Sequence, residues 1–170
     1  MPTGLKQTSS SVAIGFSTDE TGANTYTQGS VDLNLSPLDR EVFVVQSINL
    51  DVSPPDALAA VNTTTYGQLT TTSQTGLVTL ANSNCLAVAR LDIKAAGFVD
   101  GGVGFSRESS ESPATGLDYI GIIATNDFFV GIKGTGNAVA KGLSGKLYGY
   151  RARASADIYA ALVQSEVLSA

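Results

Sequence analysis

The chain has 170 residues, long enough for one domain with a real core, and 43% of them are hydrophobic, which excludes wholesale disorder. Charged residues make up only 15% and the net charge is −5, with ten Lys and Arg scattered along the chain, so no basic stripe is available to neutralise a nucleic acid backbone. There is no His and a single cysteine, Cys85, which excludes an intrachain disulfide, Ser-His-Asp and Cys-His catalysis and the usual His-containing zinc and cupin-type metal sites.

The first thirty residues are rich in Thr, Ser and Gly around one apolar burst, Val12-Ala13-Ile14-Gly15-Phe16. They read as an N-terminal arm, 1–30, preceding a single β-sandwich domain, 31–170; Val12–Ser17 alternatively reads as an edge strand of that sandwich. No basic and apolar leader of the secretory kind and no run of about 18 apolar residues is present.

Val31, Leu33 and Leu35 alternate with Asp32 and Asn34, the pattern of a half-buried strand, before Ser36-Pro37 breaks it. Glu41–Val52 is the strongest element. Val42, Val44, Ile48, Leu50 and Val52 are expected on one face, with Gln46 as the exception, and Phe43, Val45, Ser47, Asn49 and Asp51 on the other. Its β-branched content disfavours a helix, and Pro54-Pro55 ends it because proline donates no ladder hydrogen bond. Asn62–Ser73 carries six threonines and reads as a solvated or partner-facing strand pair. Leu77–Leu80 is a short strand candidate.

Cys85–Lys94 alternates again, with Cys85, Ala87, Ala89, Leu91 and Ile93 facing inward, where small residues let a second layer approach. Gly97–Phe105 is a Gly-rich strand or loop, and Ser106–Thr115 reads as an exposed polar loop. Leu117–Ala124 and Phe128–Lys133 form two strands around the turn Thr125-Asn126-Asp127, and Gly145–Ala154 is the last strand. Ser155–Glu166 then reads as a helix, with Ser155 at the N-cap, Asp157 in the first turn and Ile158, Leu162 and Val163 as its apolar stripe. This helix either closes its own sandwich or docks on a neighbouring subunit. The expected fold is therefore all-β, a jelly-roll-like antiparallel β-sandwich with a short C-terminal helix.

Chemistry finds little to work with. Carboxylates neighbour one another at Asp19-Glu20, Asp51 with Asp56, and Glu108 with Glu111, but the first and last pairs fall in polar segments and read as solvated loop charges. Gly134-Thr135-Gly136 lacks the third glycine of a dinucleotide fingerprint, and Gly142–Leu147 fails as a phosphate loop because Leu147 stands where Ser or Thr is needed. The glycosylation triplets Asn34-Leu35-Ser36 and Asn62-Thr63-Thr64 carry little weight without a secretory leader. No Asp-x-Asp-x-Asp-Gly loop supports a calcium site. No catalytic, cofactor-binding or metal-ligating residue is assigned, no cofactor is implied, and Cys85 reads as a small buried hydrophobe.

Taken together, the polar N-terminal segment, the long strand Glu41–Val52, the Thr-rich tract and the run Leu147-Tyr148-Gly149-Tyr150-Arg151-Ala152-Arg153 leading into the helix resemble the single-jelly-roll coat (capsid) proteins of tailless icosahedral bacterial and archaeal viruses. A capsid decoration (cement) protein of a tailed phage looks similar at this level. The resemblance implies a non-enzymatic structural virion protein, assembled in the host cytoplasm. Its partners would be copies of itself and other virion proteins, with loops and arms exchanged between subunits. The missing basic arm sets aside direct genome contact. The alternative from another class is a carbohydrate- or receptor-binding β-sandwich module, which the absence of Trp disfavours.

Overall fold

The computed structural model describes residues 2–97, 105–110 and 116–169. Its strands are β1 (Leu5–Gln7), β2 (Val12–Asp19), β3 (Thr27–Asp32), β4 (Glu41–Val52), β5 (Thr63–Thr70), β6 (Cys85–Lys94), β7 (Phe105–Ser110), β8 (Gly121–Ile123), β9 (Asp127–Thr135) and β10 (Gly142–Ala154), followed by one helix, α1 (Ala156–Leu168). They form two antiparallel five-stranded sheets. In sheet A, β10 lies between β4 and an interrupted edge strand made of β2 and β1, and β8 pairs with the far side of β4. Sheet B has the order β3-β9-β5-β6-β7. Setting aside β1 and the outer strand β7, four strands ordered β2-β10-β4-β8 face four ordered β3-β9-β5-β6. The chain crosses between sheets at nearly every connection. This is the double Greek key of a jelly roll.

The core between the sheets is apolar. Phe43, Val45, Ile48, Val52, Leu69, Phe128, Val130, Ile132, Leu143 and Leu147 fill it, and Phe16 meets Phe128 edge-on with ring centroids 5.6 Å apart. The faces of β4 differ from those expected. Tyr148 pairs with Ser47 but Gly149 pairs with Val45, so Gln46 is an extra residue. A one-residue bulge inverts side-chain parity. Phe43 and Val45 before it therefore share the inner face with Ile48, Leu50 and Val52 after it, while Val42 and Val44 turn outward. Gly149 sits opposite the bulge, where a Cβ would lie 2.5 Å from Phe43 Cε1, so the missing side chain makes room for the Phe43 ring.

Four other expectations need correction. The Thr-rich tract is neither a strand pair nor solvated: β5 is the middle strand of sheet B, and Thr63, Thr65, Gln68 and Thr70 are buried. β9 and β6 satisfy its two edges, while Val52 and Leu143 of sheet A cover one face and loop 71–84 the other. Leu77–Leu80 forms no strand, because the backbone of Val78 is engaged by side chains of β5. Within Ser106–Thr115, residues up to Ser110 are strand β7, paired along β6 from Lys94↔Phe105 to Ala89↔Ser110; residues 111–115 lie outside the described residues. A ten-residue β6 offers an edge that a polar segment's backbone can satisfy as well as an apolar one's. Leu117–Ala124 shortens to β8. The expectation for Gly97–Phe105 falls mostly on residues 98–104, outside the described residues.

Of the two readings of Val12–Ser17, the edge strand is found, with β2 paired to β10 from Asp19↔Gly142 to Val12↔Gly149. Residues 1–30 thus supply β1, β2 and the start of β3. The helix begins where expected. Ser155 holds the N-cap position with extended backbone but without a side-chain cap bond. It packs on the outer face of sheet A, where Ile158, Tyr159, Leu162 and Val163 cover Leu5, Val42, Val44, Ala124, Tyr150, Ala152 and Ala154.

Candidate functional site

The charged side chains gather first at the sandwich end where β9 turns into β10. Glu20 was expected to be a solvated loop charge; it is 6% exposed. Its Oε1 accepts from Gly134 N at 2.6 Å and its Oε2 from Lys141 N at 2.8 Å, so it holds both arms of the β9–β10 turn. Asn137 donates its backbone N–H to Asn24 Oδ1 at 2.9 Å, and its Nδ2 donates to Thr64 O at 2.8 Å. Its Oδ1 accepts from Asp56 N at 2.9 Å. Asp56 receives Lys141 Nζ on one oxygen at 2.6 Å and the N–H groups of Ala138 and Val139 on the other. The Lys141 ammonium, then the Ala138 N–H, hold the Asp56 carboxyl below its ordinary value. Every one of these groups is engaged in bracing the chain.

A groove of about 380 Å³ opens at the same end of sheet A, lined by Ser17, Asp19, Asp51, Ser53, Gly142 and Ser144 among others. Ser17, Ser144 and Asp51 lie on one rung across β2, β10 and β4, and Asp19 pairs with Gly142 one step further on. Asp19 and Asp51 are exposed. The structure therefore brings together Asp19 and Asp51, which the chain order did not pair. Asp56 stands in the polar brace and is not among the groove residues. Glu111 lies outside the described residues. No aromatic ring lines the groove, so it has no platform for a sugar face.

On the outer face of sheet B, loop 71–84 is tied down by a row of polar side chains. Gln28, Gly131 and Gln68 face one another across β3, β9 and β5. Gln68 is fully buried, donates to Tyr26 Oη at 3.2 Å and Gly76 O at 3.1 Å, and accepts from Val78 N at 2.7 Å. Tyr26 Oη donates onward to Gln28 Oε1, which also accepts from Gln74 N at 2.8 Å. Burial raises the Tyr26 phenol above its ordinary value, and the Gln68 bond offsets part of that push. A Cβ on Gly131 would lie 2.7 Å from Tyr26 Oη, so the glycine is what lets the ring lie across the row.

Under the C-terminal half of α1, Glu166 is 7% exposed and its Oε2 accepts from Ala124 N and Thr125 N, both at 3.0 Å. Burial pushes its carboxyl above the ordinary value, against the pull of those two N–H groups. Cys85 is buried, as its apolar setting suggested.

No protein-family model matches this chain, and no curated protein matches it in sequence. Among the described residues no helix is long and apolar enough to cross a membrane, and no group of three or more Cys, Asp and Glu is placed to hold a metal ion. Of the side chains that brace the fold, sequence reasoning passed over Gln68, Asn137, Lys141 and Glu166 and read Glu20 as a solvated loop charge. Their partners are mostly backbone groups far away in the chain, and no local motif marks such pairings.

Proposed function

We propose that this chain is a structural virion protein, a coat subunit that assembles into an icosahedral shell through homo-oligomeric contacts. The observation that carries the reading is the strand order, β2-β10-β4-β8 against β3-β9-β5-β6. That arrangement is shared by viral coat domains, lectins and cupin barrels, and fold alone does not choose among them. The side chains do. A cupin-type centre needs His ligands, and the chain has none. A sugar site needs an exposed ring beside its polar groups, and the groove is lined by none. What remains is a rigid body whose buried charges brace its own turns. In such an assembly repeated weak contacts between subunits add through multivalency. A cement subunit on another shell is the nearest variant of this reading.

The test is the assembly state of the purified chain, by light scattering coupled to size exclusion and by negative-stain electron microscopy. Trimers, pentamers, hexamers or closed shells are expected. A monodisperse monomer at high concentration sinks the proposal, and saturable binding on a glycan array would transfer the protein to the lectin class.

A further inference from the structure

The helix α1 covers one half of the outer face of sheet A, the half of Val42, Val44, Tyr150, Ala152 and Ala154. Strand alternation fixes what the other half presents. Leu143 and Leu147 of β10, Ile14 and Phe16 of β2, and Ile48 and Val52 of β4 belong to the core. Their neighbours Ser144 and Lys146, Gly15 and Ser17, and Asn49 and Asp51 therefore point outward, and all six are exposed. They stand on two successive rungs of that face: Ser17, Ser144 and Asp51 on one, Gly15, Lys146 and Asn49 on the next.

Apart from Lys146, no side chain on these rungs is longer than that of Asn or Asp, so the surface is low in relief. Lys146 carries their only positive charge and Asp51 their only negative one; Asp19 stands a rung further on. Lys146 and Asp51 are diagonal neighbours, about 7–8 Å apart on the sheet. Among the described residues neither forms an ion pair or a side-chain hydrogen bond. A low face that carries one charge of each sign, set apart, is complementary to itself. A two-fold axis lying in the interface between the two charges lays Lys146 of each copy on Asp51 of the other, the reciprocity an isologous contact requires. The opposite diagonal, Ser144 and Asn49, then falls close to the axis, where each meets its own counterpart. Chains of net charge −5 repel over most approaches. This approach supplies two attractions at the point of contact.

We infer that this half of sheet A is a two-fold docking face for a second copy of the chain, held by reciprocal Lys146–Asp51 pairs. The choice of occupant rests on the coat reading, and the inference names one contact through which subunits meet. Three strands at about 4.8 Å spacing make a narrow face, so a single contact is weak. A shell uses many at once.

The experiment traps the contact. Asn49→Cys in the full chain should give a disulfide-linked dimer on a non-reducing gel under mild oxidation at about 50 mM salt, where charge pairs are little screened. Cys85 is buried and does not compete. Adding Lys146→Glu or Asp51→Lys should cut the yield several-fold. Adding both should restore it, because a double reversal rebuilds the same two pairs. Ser144→Cys should repeat the series from the other position near the axis. The inference is overturned if neither cysteine traps a dimer, if the yield ignores the single reversals, or if the double reversal does not restore it. The face then belongs to a different partner or to solvent, and the coat reading survives if the parent chain still assembles in light scattering. Rescue by the double reversal in a chain that never grows beyond the dimer supports the contact and sinks the shell.

Discussion

Part of the outer face of each sheet is covered, and the two covers are built from different chemistry. Sheet A is roofed by α1 through Ile158, Leu162 and Val163, an apolar stripe lying on Val42, Val44, Ala152 and Ala154. Sheet B is roofed by loop 71–84 through Gln68, Tyr66 and Gln28, which hold the loop's backbone by hydrogen bonds. A helix satisfies its own backbone, so only side-chain area is left to bury. A loop does not, and every N–H and C=O it buries needs a partner from outside. The difference explains why apolar residues line one interface and amides the other. It also predicts different failure modes: a helix cover should loosen gradually when trimmed, whereas a polar cover should fail when one of its hubs is lost.

The strongest break is Gln68→Leu. It keeps the volume but leaves Val78 N, Gly76 O and Tyr26 Oη short of a partner in a partly buried layer. The expected loss is about 2–4 kcal/mol in urea unfolding, because stranded polar groups cost more than the bonds were worth. Hydrogen exchange at the Val78 amide should rise along with it. Next comes Gly131→Ala, whose methyl would press on the Tyr26 ring. About 1–3 kcal/mol is expected from overpacking, with the loss again confined to the loop side. On the helix side, Leu162→Ala trims a half-buried contact and should cost about 1–2 kcal/mol. Exchange in loop 71–84 should stay as in the parent; if Leu162→Ala released that loop as strongly as Gln68→Leu does, the two covers would be one cooperative unit and the contrast would fail.

The same contrast governs what the sequence discloses. The helix and the long strands β4 and β10 are legible because their partners are faces, and a face writes a period into the chain. Gln46 was visible as an interruption of the β4 pattern, yet its meaning as a bulge depends on the pairing of Gly149 with Val45, which is a long-range fact. The central strand β5 was read as solvated because threonine and glutamine look like surface residues; Gln68 is tolerated inside because loop 71–84 supplies its partners. Leu77–Leu80 misled in the opposite direction, since its apolar residues carry strand character while its backbone is needed elsewhere. Glu20 was illegible for a similar reason: its acceptors are filled by Gly134 and Lys141, more than a hundred residues away.

The smallest effect separates the junction under α1 from the polar braces of the sandwich by its sign. Asp56 and Asp92 both titrate below their ordinary 3.8. Lys141 and the Ala138 N–H lower the first; for the second, burial pushes upward but the Thr64 hydroxyl and Arg90 outweigh it. A depressed carboxyl contributes stability that is present above its unfolded value and lost as pH falls through the folded one. Glu166 is the reverse. Burial raises it above 4.5, so its contribution is present below that value and disappears as pH rises through the folded one. Moving from pH 7 to pH 4 in chelator-free buffer should therefore tighten the docking of α1, and only further acidification should weaken the braces of the sandwich. Amide exchange of α1 at the two pH values, corrected for intrinsic rates, checks this. Slower exchange of the helix at pH 4 is expected in the parent and should vanish in Glu166→Gln. A helix that loosens at pH 4 would mean that Glu166 is held as a stabilised anion, and that the polar side of this junction, like the loop over sheet B, is governed by its hydrogen bonds and not by burial.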